Sequence, residues 1–184
     1  MLKTTIFTAV LTFCTVLPNV LTAIPMVDQK FPIDMNVPKA KPLDTHGLYK
    51  EVDPIQLSKR ELNCLRKNVF YEAGVEDYYG KIAVAQVTYN RLKAGKWGKS
   101  ICKVVYARKQ FSWTAKESKL GKPKGQLWKR SIKAVNDFIS GTRIISLKDS
   151  LYFHTDYIKT PAWVNDQLKH DTQIGRHIFY SYRP

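Results

Sequence analysis

Ten carboxyl groups lie from residue 58 onward: Glu61, Glu72, Glu76, Asp77, Glu117, Asp137, Asp149, Asp156, Asp166 and Asp171. Most have structural explanations. Glu61 stands at capping-box distance from Ser58, and the others suit helix surfaces or loops. Glu72 is different, because it follows Val69, Phe70 and Tyr71 and precedes Ala73 and Gly74. A carboxyl at the C-terminal end of a helix, among aromatic rings, loses water. The negative pole of the helix dipole also opposes its ionisation. Both effects raise its pKa toward the range a general acid needs near neutral pH. A structural hydrogen-bonding role is the competing explanation. If the helix continued, Glu76 would lie one turn further on and raise Glu72 again by repulsion. Alternatively, Glu76 and Asp77 occupy a turn and favour the N-terminus of the next helix. No CxxC or Cys/His spacing suits a metal, so neither metal nor cofactor is expected.

These residues need elements to hold them. A first helix is expected from Ser58, with Leu62, Leu65 and Val69 at helical spacing and Gly74 at its end. A second, from about Tyr79 to Leu92, is apolar nearly all round at Ile82, Ala83, Val84, Ala85 and Val87, the pattern of a central buried helix. Residues 93 to 127 read mostly as loop, interrupted by a segment from Val104 to Trp113. Trp128, Ile132, Val135, Phe138 and Ile139 form a third helical stripe, with Gly141 just beyond it. Aromatic runs from Leu151 to His154 and from His177 to Tyr182 suit strands. Helices first and strands last predict an α+β domain over residues 58–184.

Ahead of that domain, residues 1–23 have the layout of an export signal: Lys3, a short apolar run from Ile6 to Leu17, and a cleavage position at Ala23. The run is short and Thr-rich for a membrane span, which favours cleaved export over the alternative of a retained anchor. Residues 24–57, with five prolines, read as a linker. Cys14 falls in the leader. Cys64 and Cys102 remain as an even pair in a chain bound for an oxidising compartment, which predicts a disulfide, with two buried thiols as the alternative. The formal charge is +15, and from Arg91 to Lys133 fourteen Lys/Arg face a single acid, Glu117. That excess favours an anionic partner such as an acidic envelope polymer, or serves as a solvated face. A nucleic-acid-binding module is the rival. Export and the lack of a nucleic-acid motif argue against it.

Several runs resemble the SleB-like cell-wall hydrolase family. They are Tyr71-Glu72-Ala73-Gly74-Val75-Glu76 with Gly80, Ala83-Val84-Ala85-Gln86-Val87 and Asn90-Arg91; Cys102-Lys103-Val104-Val105-Tyr106; Gln110-Phe111-Ser112-Trp113; Leu151-Tyr152-Phe153-His154 with Pro161 and Trp163; and Ile174-Gly175-Arg176-His177-Ile178-Phe179-Tyr180. The blocks fall in order over residues 60 to 182. Gly74-Val75 and Lys81 depart from the family's usual Arg-Gly and Gln. The resemblance implies a lysozyme-like or lytic-transglycosylase-like fold, helices followed by a small antiparallel β element. It also implies cleavage of the peptidoglycan glycan strand at the MurNAc-β-1,4-GlcNAc bond, by a monomer in the cell envelope.

Glu72 would then be the catalytic acid. A hydrolytic glycosidase usually needs two carboxylates, whereas a lytic transglycosylase needs one, so the single-acid route is favoured over a hydrolytic muramidase. Tyr71, Gln110, Ser112 and Tyr152 would bind acetamido groups or orient Glu72, with Glu76 beside them. Trp113, Trp163 and Tyr180 would offer flat faces to sugars or pack the core. His154 and His177 would position groups rather than attack, or be structural, and Asn90 and Arg91 would be structural. A non-catalytic wall-binding protein and a stem-peptide amidase remain as rivals. The amidase is disfavoured by the absence of a metal pattern and of a Cys/His nucleophile.

Overall fold

The computed structural model describes residues 47–50 and 53–184. The expected leader and most of the expected linker lie outside the described residues. Ser58 opens α1 (Lys59–Ala73) by accepting a hydrogen bond from the Glu61 amide at 3.2 Å. The Glu61 carboxylate in turn accepts from the Ile101 amide at 3.1 Å, which ties this end of α1 to the start of α3 (Ile101–Val105). Asp77 caps α2 (Tyr78–Ala94), accepting from the Gly80 amide at 2.8 Å. At its far end Gly95 turns left-handed (φ 71°) and its amide bonds the Leu92 carbonyl. Ile82 to Ala85 and Val87 are fully buried, as an all-apolar helix requires. Consequently α2 is the axis on which α1 and α4 (Gly125–Ile139) pack, and Val69, Val135 and Phe138 help to fill the core around it.

The stretch expected to be mostly loop holds more structure. Ser100 caps a short helix, α3 (Ile101–Val105), and a 3-10 segment spans Ser112–Lys119. Cys64 in α1 and Cys102 in α3 form a disulfide with Cα atoms 5.3 Å apart. The expectation of a bridge therefore holds, and the alternative of two free thiols does not.

After α4 the chain turns to strands. β2 (Thr142–Ile144) pairs antiparallel with β1 (Leu48–Lys50), with Leu48 opposite Ile144. Residues 47–50 fall inside the stretch expected as linker, yet they join the fold through this pairing. β3 (Tyr152–Thr155), β4 (Leu168–Ile174) and β5 (His177–Tyr182) form an antiparallel sheet in the order β3-β5-β4. This is the expected α+β order, with β4 as an unanticipated edge strand.

Polar side chains of α2 join helix to strands. Gln86 donates to the Ile144 carbonyl at 2.9 Å and accepts from the Ile144 amide at 2.7 Å. Asn90 donates to the carbonyls of Leu147 and Ser150, and Arg91 Nε to that of Leu151 at 2.7 Å. Three buried side chains on one helix face thus satisfy backbone groups of a segment that has few strand partners. They also deliver that segment directly into β3, where the candidate site begins.

Candidate active site

The end of α1, the loop after α3, the 3-10 segment and the strands β3 and β5 enclose a cleft of about 970 Å³. Tyr71 and Glu72 enter it from α1, Gln110, Ser112 and Trp113 from the segment after α3, and His154, Trp163 and His177 from the sheet side. Eight of the eleven residues singled out as catalytic or substrate-binding therefore converge, although they are spread over more than a hundred positions.

Glu72 is the one carboxylic acid among the described residues that line this cleft. Burial pushes its pKa up to about 7, while the positive charge of Arg91 pulls it down. Among the described residues no hydrogen-bond donor reaches its carboxyl, which leaves the group free for a ligand. Burial is the larger cause, consistent with the aromatic surroundings in the sequence.

The residues around Glu72 are held by specific contacts. Tyr71 stacks on Trp113 with ring centroids 4.6 Å apart and donates to the Gly121 carbonyl at 3.0 Å. Trp113 is buried, and its indole N–H donates to Asn68 Oδ1 at 2.9 Å. Asn68 donates in turn to Thr88 in α2 at 3.0 Å. Trp113 thus lends the cleft one edge and serves mainly as packing. Trp163 is the contrast: at 41 % exposure it stands open, with Tyr152, His154 and Tyr180 within 6.0 Å of its ring. An exposed indole in a cleft is a stacking surface for an apolar ring face. Ser112 is exposed at the rim, and Gln110 is half-buried beside Phe111.

Two expected contact residues lie behind the cleft wall. Tyr180 is buried, stacks on His154 and meets His154 Nε2 through its hydroxyl at 3.0 Å. Tyr152 shares a hydrogen bond of 2.5 Å with the Tyr182 hydroxyl and faces Trp97 and Trp163. Each supports a lining residue rather than lining the cleft itself. His154 also bonds the Thr155 carbonyl through Nδ1, so both ring nitrogens have partners.

Glu76 is a correction. α1 stops at Ala73, so Glu76 is not carried one turn beyond Glu72 and lies outside the cleft. It reaches the β4–β5 turn instead, accepting from the Arg176 amide at 3.3 Å, with His177 Nδ1 3.9 Å away. Gly175 permits this approach: its φ is +55°, and a Cβ there would fall 1.9 Å from the Glu76 carboxylate. Asp77 caps α2, as the turn alternative held. Burial lowers the pKa of His177, opposed by the charges of Glu76 and Asp156.

Arg91 was expected to be structural, yet its buried guanidinium lines the cleft near Glu72. The structural part of that expectation is met by the bond from Nε to the Leu151 carbonyl, but nothing in the Asn90-Arg91 run points to a place beside the candidate acid. Phe111 and Phe153 also line the cleft and lie within 6 Å of the guanidinium.

Helices around one central axis, a small antiparallel sheet and a cleft lined by a single carboxylic acid among the described residues define an α+β domain with a candidate acid site. Residues 75–180 match the Cell Wall Hydrolase family. The chain belongs to that family. Glu72 stands just ahead of the matched span. The chain is 29% identical over 142 residues to the spore cortex-lytic enzyme of Oceanobacillus iheyensis, covering 74% of this chain and 47% of that protein. It is 27% identical over 127 residues to the spore cortex-lytic enzyme of Bacillus subtilis, covering 68% of this chain and 39% of that one. The chain thus spans less than half the length of these relatives. Its fold matches the catalytic domain of the Bacillus cereus SleB protein with a TM-score of 0.57 at 25% identity, over 69% of this chain and 94% of that domain. The catalytic domain of the germination-specific lytic transglycosylase SleB from Bacillus anthracis gives 0.58 at 25% identity, over 68% and 98%.

Proposed function

We propose that the protein cleaves the glycan strand of peptidoglycan at the MurNAc-β-1,4-GlcNAc bond, as a lytic transglycosylase with Glu72 as its single acid. The observation that carries this is one carboxyl in the cleft, its pKa pushed up to about 7 by burial, with no second carboxylate lining the walls among the described residues. Hydrolytic glycosidases use two carboxyl groups roughly 5 to 9.5 Å apart across the bond. The description of the Bacillus anthracis neighbour as a lytic transglycosylase supports the same choice.

In this mechanism Glu72 gives its proton to the bridging oxygen as the C1–O bond breaks. The 6-hydroxyl oxygen of the same muramic acid then bonds C1, and its proton returns to Glu72. The nucleophile is already part of the substrate, so no water must be held in place. Trp163 would stack on a sugar face, while Gln110 and Ser112 would bond acetamido groups at the rim. Tyr71, His154 and His177 would keep the walls in position, with Tyr152 and Tyr180 behind them.

The protein would act outside the cytoplasm, with residues 1–23 as the export leader and a linker that gives way to the folded domain by residue 47. Thirteen exposed Lys and Arg residues between 93 and 133 would hold it on anionic envelope polymers.

The test is product analysis after incubation with insoluble peptidoglycan. Mass spectrometry should find 1,6-anhydro-MurNAc ends, and Glu72→Gln should abolish them while the fold is kept. Reducing ends would instead establish a hydrolytic muramidase. Pelleting with the wall without clearing would establish a binding protein. Retention of a tenth of the activity in Glu72→Gln would remove Glu72 from the assignment.

A further inference from the structure

Arg91 is an anomaly in a basic stretch. The other thirteen Lys and Arg residues up to Lys133 are exposed, but Arg91 is only 5 % exposed. Its guanidinium sits among three rings, 4.9 Å from Phe111, 5.4 Å from Trp97 and 5.9 Å from Phe153. Nε is anchored on the Leu151 carbonyl. Nη1 is buried without a hydrogen-bond partner. A desolvated cation is costly to retain unless an opposite charge compensates it, and a Met or Leu would fill the same apolar slot. The cleft carboxyl that this cation can influence is Glu72.

We propose that Arg91 is a positioning residue for charge: its buried guanidinium stabilises the carboxylate that Glu72 becomes after giving up its proton, and so sets how readily that proton leaves. The inference rests on Glu72 being the acid. It explains why the cation is confined beside a carboxyl yet makes no ion pair with it. A contact pair would hold Glu72 ionised and useless as a donor, whereas a guanidinium held back by the Leu151 carbonyl lets burial keep the carboxyl's affinity for its proton raised. The influence runs both ways. Arg91 lowers the pKa of Glu72 against burial, and Glu72 raises that of Arg91 against burial.

The remaining titratable groups around Glu72 are Tyr106, Arg108 and Lys109 from the segment after α3, His154 and His177 from the strands, and Tyr157 beyond β3. Tyr71 is its neighbour on α1. Of the cations, Arg108 and Lys109 are exposed and their fields are screened by water and salt, and both histidines are buried. Arg91 alone combines permanent charge with burial.

The experiment follows the Glu72 side-chain carboxyl by carbon-13 NMR titration, alongside the pH profile of wall lysis, in wild type, Arg91→Gln and Arg91→Lys. Gln keeps a donor for the Leu151 carbonyl while removing the charge. The titration of Glu72 should move upward by about one to two pH units in Arg91→Gln, carrying the alkaline limb of activity with it, and Arg91→Lys should restore most of the shift. An unmoved carboxyl in Arg91→Gln overturns the inference whatever happens to activity. A moved carboxyl with an unmoved activity limb leaves the electrostatic link standing and removes Glu72 as the acid. If the Gln variant does not fold, Arg91→Met decides. Methionine fills the apolar slot without a charge, so Glu72 should again move upward, and no movement overturns the inference.

Discussion

At the scale of the single residue, Glu72 carries a stability cost that can be measured without substrate. Burial pushes its pKa in the folded protein up to about 7, above the ordinary 4.5. Below pH 4.5 both folded and unfolded chains hold the proton and the group contributes nothing. Between 4.5 and 7 the unfolded chain releases it first, so stability falls as pH rises, by about 3 kcal/mol at completion. Glu72→Gln removes this cost. The variant should melt with wild type at pH 4 and above it at pH 8, which thermal unfolding at both values will reveal. Activity should follow the same proton: if the neutral acid is the working form, lysis declines as pH rises through about 7. The desolvation of Glu72 was legible in the sequence, because Phe70 and Tyr71 announce it. The role proposed for Arg91 was not, since at the end of the buried helix it read as structural. Glu76 was misplaced because its position depended on whether α1 ran through Gly74, which spacing alone left open.

At the scale of elements, α1, α2 and α4 were readable because each is long enough for its buried face to repeat. α3 has five residues, too few for a period, and lies in a run of lysines that looks like loop. β4 was missed for a different reason. Only its end residues Leu168 and Ile174 are buried, so Lys169 to Gln173 present the polar pattern of an edge strand. β1 was read as linker because three residues carry no periodicity, and its pairing with β2 is a tertiary fact. The disulfide links α1 to α3, and the chain that follows α3 forms one side of the cleft. Closing a loop with a sequence separation of 38 residues restricts the unfolded chain and should contribute about 2–4 kcal/mol. Chemical denaturation with and without reductant should therefore show a lower midpoint in the reduced protein. An unchanged midpoint would deny the bridge any part in stability.

At the scale of the whole molecule, charge and cleft are neighbours. Arg108 and Lys109 line the cleft, and the exposed cations from Lys93 to Lys133 extend the positive surface beyond it. Attraction of this kind acts over the Debye length, which contracts from about 30 Å at 0.01 M salt to about 3 Å at 1 M. Lysis of intact walls should therefore slow as salt is added, through weaker association rather than slower bond cleavage. Assays on a soluble neutral glycan fragment should change little over the same range, and equal loss on both substrates would argue against the attraction.

The grip of Gln86 on Ile144 has one more consequence. The Ile144 amide is bound by a side chain rooted in the most buried helix, so releasing it requires the core to open. In heavy water that proton should be among the last to exchange with deuterium, although it belongs to a strand of three residues in a two-stranded pair. A short ribbon at the margin of the domain would thereby report the opening of its centre.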